Sequence, residues 1–310
     1  IERTKELPVH IHPIGSVTKG QAGLEISEIG LMIESGAVAF SDDGLPIQNG
    51  LVMRKALEYS KMFNVPIINH AEDDCLRANG LMNEGIVSTK LGLSGNPNIA
   101  ESIMVFRDLK LAELTGARLH VPHVSTAESV KYISDMKNQY NEITAEVTPH
   151  HLFYTDEALY DYDTNFKVAP TIRDIRSRKA LIQGIKDGII DCIATDHAPH
   201  TLEEKSNSYL ECPSGGPLVQ HGLVSMIEHY LNNKIPLESI VTKMCHNPAI
   251  LFQINKRGFI REGYYADLVL IDRNKGVIVN KNNIHYKCGW SPFEGHRFSS
   301  TIHSTIINGE

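Results

Sequence analysis

The sequence predicts an α/β protein whose main body is a TIM-type (β/α)8 barrel, followed by a small β domain. Three observations support this prediction. Short apolar runs alternate with stretches long enough for a helix, and the runs are continuously apolar, as is typical of parallel strands buried on both faces. Residues that commonly bind metals follow four of the runs. A barrel of this type carries its chemistry at the C-terminal ends of its strands.

The predicted elements alternate along the chain. Strands are predicted over residues 8–15, 38–40, 65–69, 118–121, 143–147 and 189–194. Helices are predicted over residues 24–36, 51–64, 99–115, 127–139 and 176–187, and residues 1–7 have the pattern of the end of another helix. Gly36 suits the position just after a helix end, where left-handed backbone is common. Residues 201–216 form a long polar stretch, which we expect to be a mobile loop that closes over a substrate.

The number of strands bears on the domain organisation. A closed barrel of this type has eight strands and six are predicted, so we expect about a quarter of the parent protein to precede residue 1. Residues 1–255 would then hold strands 3 to 8 of the barrel. From residue 256 the sequence changes to short apolar runs with turns, first over residues 258–263 and 266–272, which predicts a small β domain over residues 256–310.

Composition argues against several classes of function. The formal net charge of −7 is unsuited to a nucleic-acid surface, because phosphate would be repelled. No apolar run approaches the roughly 18 residues that a membrane-spanning helix needs. The 5 Cys residues are scattered and include no Cys-x-x-Cys pair. This pattern favours reduced thiols in a cytoplasmic protein over a disulfide framework or a Cys-rich zinc site.

Four candidate metal ligands stand at predicted strand ends: Asp43, His70, His123 and Asp196. Asp43 also lies in a turn-forming Asp-Asp-Gly sequence, and a single His at a strand end is more often a core residue. The set therefore favours a metal site more strongly than any of its members does. Zinc binds histidine nitrogen and carboxylate oxygen, and four such residues are enough to hold one or two ions. The sequence therefore predicts a metallohydrolase.

The segment 196–200 carries the most specific of these signals. Asp196 can contact a metal and accept a proton from a nearby water molecule, as a general base does. A helix-capping role for Asp196 is disfavoured because Pro199 interrupts any following helix. His200 lies close enough along the chain to reach a substrate carboxylate. The pair His150 and His151 is a weaker candidate, for which a supporting role is favoured over direct metal binding.

Five segments stand in order along the chain: FSDDG at residues 40–44, HAED at 70–73, PHVST at 122–126, EVTPHH at 146–151 and ATDHAPH at 194–200. Together they resemble the motifs of bacterial class I dihydroorotases, a family of the amidohydrolase superfamily. Residues 258–272 are similar to that family's small β domain. The resemblance implies an enzyme with one or two Zn²⁺ ions that interconverts N-carbamoyl-L-aspartate and L-dihydroorotate in de novo pyrimidine biosynthesis. It is also compatible with a homodimer.

The resemblance further implies roles for the metal-ligand candidates. Asp43 would bridge two metal ions, and His70 and His123 would bind the second of them. Asp196 would bind the first ion and act as the catalytic acid and base.

The same resemblance implies a substrate site and shows two departures from the family. His200 would contact the substrate carboxylate, and the backbone at Ser214 and Gly215 would make further contacts. The family's His-x-His-x-Arg strand and the following Asn-containing strand lie upstream of anything in this sequence. We therefore expect the 310 residues alone to be inactive, since the first metal lacks two ligands. In addition, Ala169 stands where the family often has a substrate-binding Asn.

Two alternatives remain open. A dihydropyrimidinase, hydantoinase or allantoinase is related, but such enzymes usually bridge their metals with a carboxylated Lys, and residues 38–44 contain none. The chain is also compatible with a non-catalytic dihydroorotase-like subunit that partners aspartate transcarbamoylase. The retained candidate ligands argue against that role, whereas Ala169 and the two absent strands keep it open. Zinc content distinguishes a catalytic dihydroorotase from a non-catalytic subunit, because a scaffold need not retain stoichiometric metal.

Overall fold

The computed structural model describes residue 4 and residues 6–310. Six strands form one parallel sheet in the order β1, β2, β3, β6, β7, β8, which is also their order along the chain. The bounds of the strands are β1 Ile14–Gly15, β2 Ala39–Ser41, β3 Ile67–Ile68, β4 Met82–Asn83, β5 Gly95–Asn96, β6 Leu119–Val121, β7 Ile143–Val147, β8 Cys192–Ile193, β9 Leu268–Asp272, β10 Val277–Ile278, β11 Arg297–Phe298 and β12 Thr301–Ile306.

Helices connect successive strands of this sheet. Asn49, Thr126 and Asp174 each cap one of them by accepting a hydrogen bond from a backbone N–H of its first turn. The caps precede α2, α6 and α8 respectively. The bounds of the helices are α1 Ile29–Glu34, α2 Gly50–Lys61, α3 Asp74–Arg77, α4 Ile86–Leu91, α5 Asn98–Thr115, α6 Ala127–Lys137, α7 Pro149–Phe153, α8 Ile175–Lys186, α9 Leu202–Lys205, α10 Val219–Leu231, α11 Leu237–Val241 and α12 Asn247–Leu251.

The main core lies between the parallel sheet and the helices that cover it. Phe40 and Leu119 on the strands are buried together with Leu57, Leu109 and Ile133 on the helices. Burial of these apolar side chains is the main force that holds sheet and helices together. Because the sheet interior is apolar, polar side chains that serve a reaction are confined largely to the strand ends.

The six strands predicted for the barrel are present in the predicted order along the chain, whereas several elements differ in length or were not predicted. Residues 143–147 form a strand in full, whereas the prediction over residues 8–15 is reduced to β1, since Pro8 and Pro13 have no backbone N–H to donate. The helix predicted over residues 24–36 is shortened to α1, and Gly36 follows it with φ of 100°. The helix end predicted over residues 1–7 falls partly on residues 1–3 and 5, which lie outside the described residues. Helices α10–α12 have no counterpart among the predicted elements.

Residues beyond 255 form antiparallel pairs, β9 with β12 and β10 with β11. The strand predicted over residues 258–263 is absent from this described part of the chain, which has turns there instead. Phe293 and Phe298 pack with Leu218 and Val224 in a second apolar cluster. Part of the C-terminal segment thus contacts α10, and the division of the chain at residue 255 stays a prediction.

A large apolar cavity of about 1060 Å³ lies beside β1, lined by side chains that include Ile14, Leu223, Ile240 and Phe252. None of the predicted site residues lines it. Over residue 4 and residues 6–310, no helix combines the length and the apolar character needed to cross a membrane.

Candidate metal centre and substrate site

The candidate ligands lie just past the C-terminal ends of their strands. Asp43 follows β2, His70 follows β3, His123 follows β6 and Asp196 follows β8. The φ angles of His123 and Asp196 are 32° and 48°, in or near the left-handed region that residues other than glycine seldom adopt. Backbone strain of this kind persists where the surrounding structure holds a residue in place, and it is common at functional sites.

Asp43, His70 and His123 converge on one point. One ligand atom from each lies within 4.8 Å of the other two. Nδ1 of His70 is 3.1 Å from Nε2 of His123, and Oδ1 of Asp43 is 3.3 Å from that Nε2. The same Oδ1 is 3.8 Å from Nδ1 of His70. Two ring nitrogens and a carboxylate oxygen form a donor set that fits zinc and related divalent metals.

The charges around His123 favour a cation at this point. Burial lowers the pKa of His123, but the hydrogen bond with Asp43 and the charges of Asp196 and Glu146 outweigh burial and raise it to about 9. The same hydrogen bond lowers the pKa of Asp43. A proton on His123 therefore balances the carboxylates when no metal is bound, and a metal ion has to displace that proton.

Asp196 lies outside this converging group but is electrostatically coupled to it. Burial raises the pKa of Asp196 and outweighs the opposing effect of the charge on His123, while the charge of Asp43 raises it further. A carboxylate whose pKa is raised toward neutrality accepts and returns protons more readily. The structure thus brings three of the four predicted ligands together and places Asp196 as their charged neighbour.

Asp42, which the sequence analysis did not single out, has a structural role beside Asp43. Its side chain is buried and accepts hydrogen bonds from the backbone N–H of Val17 at 2.8 Å and of Thr18 at 3.1 Å. The hydroxyl of Thr18 donates to it as well. Asp42 therefore ties the loop after β1 to the end of β2, which leaves Asp43 free to face His123.

Glu72 is a second residue that the sequence analysis missed. Its carboxylate lies 3.6 Å from Nε2 of His70, the ring nitrogen that does not face His123. Asn96 donates a hydrogen bond to Glu72 at 2.7 Å, and Nε of Arg77 lies 3.1 Å from it. The His-x-Glu spacing at the end of β3 is a sequence signal for such a pair, since a carboxylate often orients a metal-binding His.

A further buried pair joins β6 to β7 near the same strand ends. Nε2 of His120 lies 3.0 Å from the Glu146 carboxylate, and its Nδ1 lies 2.8 Å from the hydroxyl of Thr144. Because a carboxylate only accepts, Nε2 donates and Nδ1 accepts from the hydroxyl. Glu146 thereby keeps a negative charge near His123, whose pKa it helps to raise.

His150 and His151 are not part of the converging group. Nε2 of His151 donates to the carbonyl of Pro170 at 3.0 Å, so its Nδ1 accepts from the hydroxyl of Thr148 at 2.7 Å. Both nitrogens of His151 are therefore used in holding the chain. His150 is buried, neither of its ring nitrogens has a partner among the described residues, and burial holds its pKa well below the usual range.

The predicted substrate-binding residues lie together in a second group. Nε2 of His200 donates to the carbonyl of Ser214 at 3.0 Å. Gly215 has φ of 133°, and a Cβ added there would lie 2.5 Å from the carbonyl oxygen of Ala198. Only glycine therefore fits at this turn. In the described part of the chain, no direct hydrogen bond or ion pair joins this group to the converging ligands.

The stretch predicted as a mobile loop contains regular structure. Thr201 caps α9, and Glu204 bonds back to the N–H of Thr201 at 2.8 Å. The N–H of Ala198 donates to the carbonyl of Gly216 at 3.1 Å, so the end of this stretch pairs with the segment that carries Asp196. Closure over a substrate stays a prediction.

Comparison with known proteins places the chain in a family. Residues 2–129 match the family model described as dihydro-orotase-like. A dihydroorotase of Endomicrobium trichonymphae is 44% identical over 311 residues, covering 100% of this chain and 74% of that protein. The chain belongs to the dihydroorotase family. A second dihydroorotase, from Acetivibrio thermocellus, is 42% identical over 302 residues, covering 97% of this chain and 71% of the relative.

Solved structures show that this dihydroorotase family member shares its fold with cyclic-amide hydrolases. The L-hydantoinase of Arthrobacter aurescens superimposes with a TM-score of 0.85 at 23% identity, over 100% of this chain and 72% of that one. A dihydropyrimidinase from Brevibacillus agri superimposes with a TM-score of 0.79 at 23% identity, over 90% of this chain and 64% of that one. The predicted fold class, a (β/α) barrel with six strands in this chain, is confirmed by this likeness and by the parallel sheet.

Proposed function

We propose that the protein is a zinc-dependent dihydroorotase that interconverts N-carbamoyl-L-aspartate and L-dihydroorotate in pyrimidine biosynthesis. The observation that carries the proposal is the convergence of Asp43, His70 and His123 at strand ends, in a chain that belongs to this family. Hydrolysis of a cyclic amide needs an activated water and a group that returns a proton to the leaving nitrogen. The site has residues for both tasks.

Asp43, His70, His123 and Asp196 are the residues that would hold the metal. Zinc, when bound, acts as a Lewis acid and makes water a nucleophile near neutral pH. Asp196 accepts the proton of the attacking water and passes it to the ring nitrogen as the amide bond breaks. Its raised pKa, due to burial, suits both halves of that transfer.

His200, Ser214 and Gly215 would bind the substrate. His200 carries a ring nitrogen that donates hydrogen bonds, and its present acceptor is the carbonyl of Ser214. A substrate carboxylate is a stronger acceptor than that carbonyl and would compete for the same N–H. The backbone of the turn at Gly215 offers further polar groups without a side chain in the way.

The test is hydrolysis of L-dihydroorotate by the complete, zinc-loaded protein, followed by ultraviolet absorbance. Asp196→Asn should lower kcat by roughly 10²- to 10⁴-fold, as expected for loss of a general base. Asp187→Asn is the matched control, because Asp187 is exposed at the end of α8. Hydantoin and dihydrouracil serve as competing substrates. Turnover of these, but not of dihydroorotate, would replace the proposal with a hydantoinase or dihydropyrimidinase function.

Quaternary structure, partner and location are further proposals. We propose a homodimer in the cytoplasm, with association to aspartate transcarbamoylase as a second assembly. Molar mass in solution, measured alone and with aspartate transcarbamoylase added, tests both assemblies. A monomer whose mass does not change on addition would contradict them.

A further inference from the structure

Lys205 places an ammonium group inside the protein next to the substrate-binding turn. The residue is 3% exposed. Nζ donates to the backbone carbonyls of Pro213 at 3.1 Å, Gly215 at 3.1 Å and Lys167 at 3.3 Å. An ammonium group has three N–H donors, and each has one carbonyl here. Two of the three carbonyls belong to the turn that carries Ser214.

Trp290 covers this ammonium from the C-terminal part of the chain. The centroid of its indole ring lies 5.4 Å from Nζ of Lys205, within the range of a cation–π contact. The indole N–H donates to the backbone carbonyl of His200 at 2.8 Å. Trp290 is itself 2% exposed, and a Cβ added at Gly216 would lie 3.6 Å from its ring. One side chain therefore contacts both the lysine and the backbone of His200.

Lys167 holds the preceding part of the same loop in a similar way. Its ammonium donates to the carbonyls of Tyr209 and Cys212, both at 2.7 Å. Its own carbonyl accepts from the N–H of Gly215 at 2.9 Å. Buried carbonyl oxygens that lose their donors cost free energy, so the two ammonium groups stabilise the backbone of residues 209–215 in this shape.

We propose that Lys205 and Trp290 are positioning residues, which hold His200 and the turn 213–215 in the arrangement that binds substrate. The inference rests on the proposed function for its assignment of that turn to the substrate. Burial lowers the pKa of Lys205 to about 8. At pH 7 the ammonium form still predominates, so all three donors are present. Neither residue contacts the substrate in this scheme, and neither belongs to the metal centre.

The test compares Lys205→Met with Lys131→Met in the complete, zinc-loaded protein. Methionine keeps the apolar length of the side chain but removes the ammonium. Lys131 is the control because its side chain is 72% exposed and forms an ion pair with Asp135 at the surface. Three quantities are measured: kcat, KM for L-dihydroorotate, and hydrogen exchange in the peptide spanning residues 206–216. Trp290→Phe is a second variant, which removes the bond to His200 and keeps a ring.

For Lys205→Met, we expect KM to rise by about tenfold or more, with kcat within about threefold of the wild type. Exchange should accelerate over residues 206–216 and not over the strand β7. Trp290→Phe should raise KM in the same direction by a smaller factor, and Lys131→Met should match the wild type. An unchanged KM in both Lys205→Met and Trp290→Phe overturns the inference. If Lys205→Met does not fold, the KM of Trp290→Phe decides.

Activity of the wild-type protein distinguishes a failure of the proposed function from a failure of this inference. If the wild type does not hydrolyse dihydroorotate, the proposed function fails. The exchange data then decide the positioning role alone. Faster exchange confined to residues 206–216 in Lys205→Met supports it, and exchange equal to that of Lys131→Met overturns it.

Discussion

Glu72 lies 3.6 Å from Nε2 of His70, on the side of the imidazole ring away from the nitrogen that faces His123. The ring therefore has a carboxylate at one nitrogen and the converging ligands at the other. Such a carboxylate fixes the tautomer and orientation of a metal-binding histidine and makes it a stronger ligand. Glu72 is in turn held by Asn96 and Arg77.

This relationship predicts that Glu72→Gln weakens metal binding by roughly 10- to 100-fold without removing a ligand. An amide keeps the shape of the side chain but loses the charge that strengthens His70. Zinc affinity measured by competition with a chromophoric chelator is the direct readout. Glu113→Gln is the control, because Glu113 pairs with Lys110 at the surface. Equal affinities in the two variants would show that Glu72 does not act on the metal site.

Asp42 and Asp43 are adjacent, but we expect substitution of Asp42 to affect mainly stability and substitution of Asp43 to affect mainly metal binding. Asp42→Ala removes a buried acceptor of two backbone N–H groups and should lower the free energy of unfolding by about 3 kcal/mol. Asp43→Ala should cost about 1 kcal/mol or less, since the Asp43 side chain is 56% exposed. Metal stoichiometry should fall only in Asp43→Ala. Urea unfolding of the metal-free protein and zinc titration check the two expectations. A loss of bound zinc in Asp42→Ala together with a large loss of stability in Asp43→Ala would contradict the roles given to the two residues.

The buried ring of His229 leads us to expect a loss of folding stability in mild acid. Its ring is buried against Phe153 without a partner for either nitrogen among the described residues, and burial lowers its pKa to about 4 from 6.5. The unfolded chain therefore takes up a proton at higher pH than the folded protein does. The free energy of unfolding is therefore unaffected by protonation of His229 above pH 6.5. It falls progressively as the pH drops from 6.5 to about 4, by on the order of 3 kcal/mol in total.

The variant His229→Leu should flatten this pH dependence by the equivalent of one proton. His303→Leu is the control because His303 is exposed on β12. Unfolding free energies at several values between pH 4 and pH 7 give the slopes. A slope in His229→Leu as steep as that of the wild type would mean that the burial of this ring does not control acid stability.

Gly215 should tolerate no side chain. In Gly215→Ala the added Cβ would meet the carbonyl oxygen of Ala198 at 2.5 Å, so the turn has to move. We expect KM for dihydroorotate to rise by about tenfold or more. Gly263→Ala is the matched control, because Gly263 has φ of 81° and open space around it. It should cost about 1 kcal/mol of stability and leave KM unchanged.

The convergence of the candidate ligands Asp43, His70 and His123 was predictable from the sequence for a simple geometric reason. Parallel strands end at one edge of a sheet, so polar residues that follow apolar runs meet there. Asp43, His70 and His123 needed no other information to be placed together. Asp196 was predicted as a ligand of equal standing, yet it lies outside the tightest group, since its position depends on the turn after β8.

The proposed positioning residues Lys205 and Trp290 were not predictable in the same way. Lys205 lies in a stretch whose polar composition indicates a solvated loop, and nothing local shows that its ammonium is buried among carbonyls. Trp290 reaches His200 from a segment predicted as part of a separate β domain. Contacts between residues distant in sequence depend on how whole elements pack, which periodicity and turn signals do not record.

The bond from Trp290 to His200 spans 90 residues of sequence. A ribosome adding about 5–20 residues per second needs roughly 5–20 s to cover that distance. Once residue 216 has been added, the backbone of residues 196–216 is complete, but the indole that donates to the carbonyl of His200 has not yet been synthesised. If Trp290 holds His200 as proposed, the substrate-binding turn is completed only after residue 290 has been synthesised, which is well after the synthesis of Asp43, His70, His123 and Asp196.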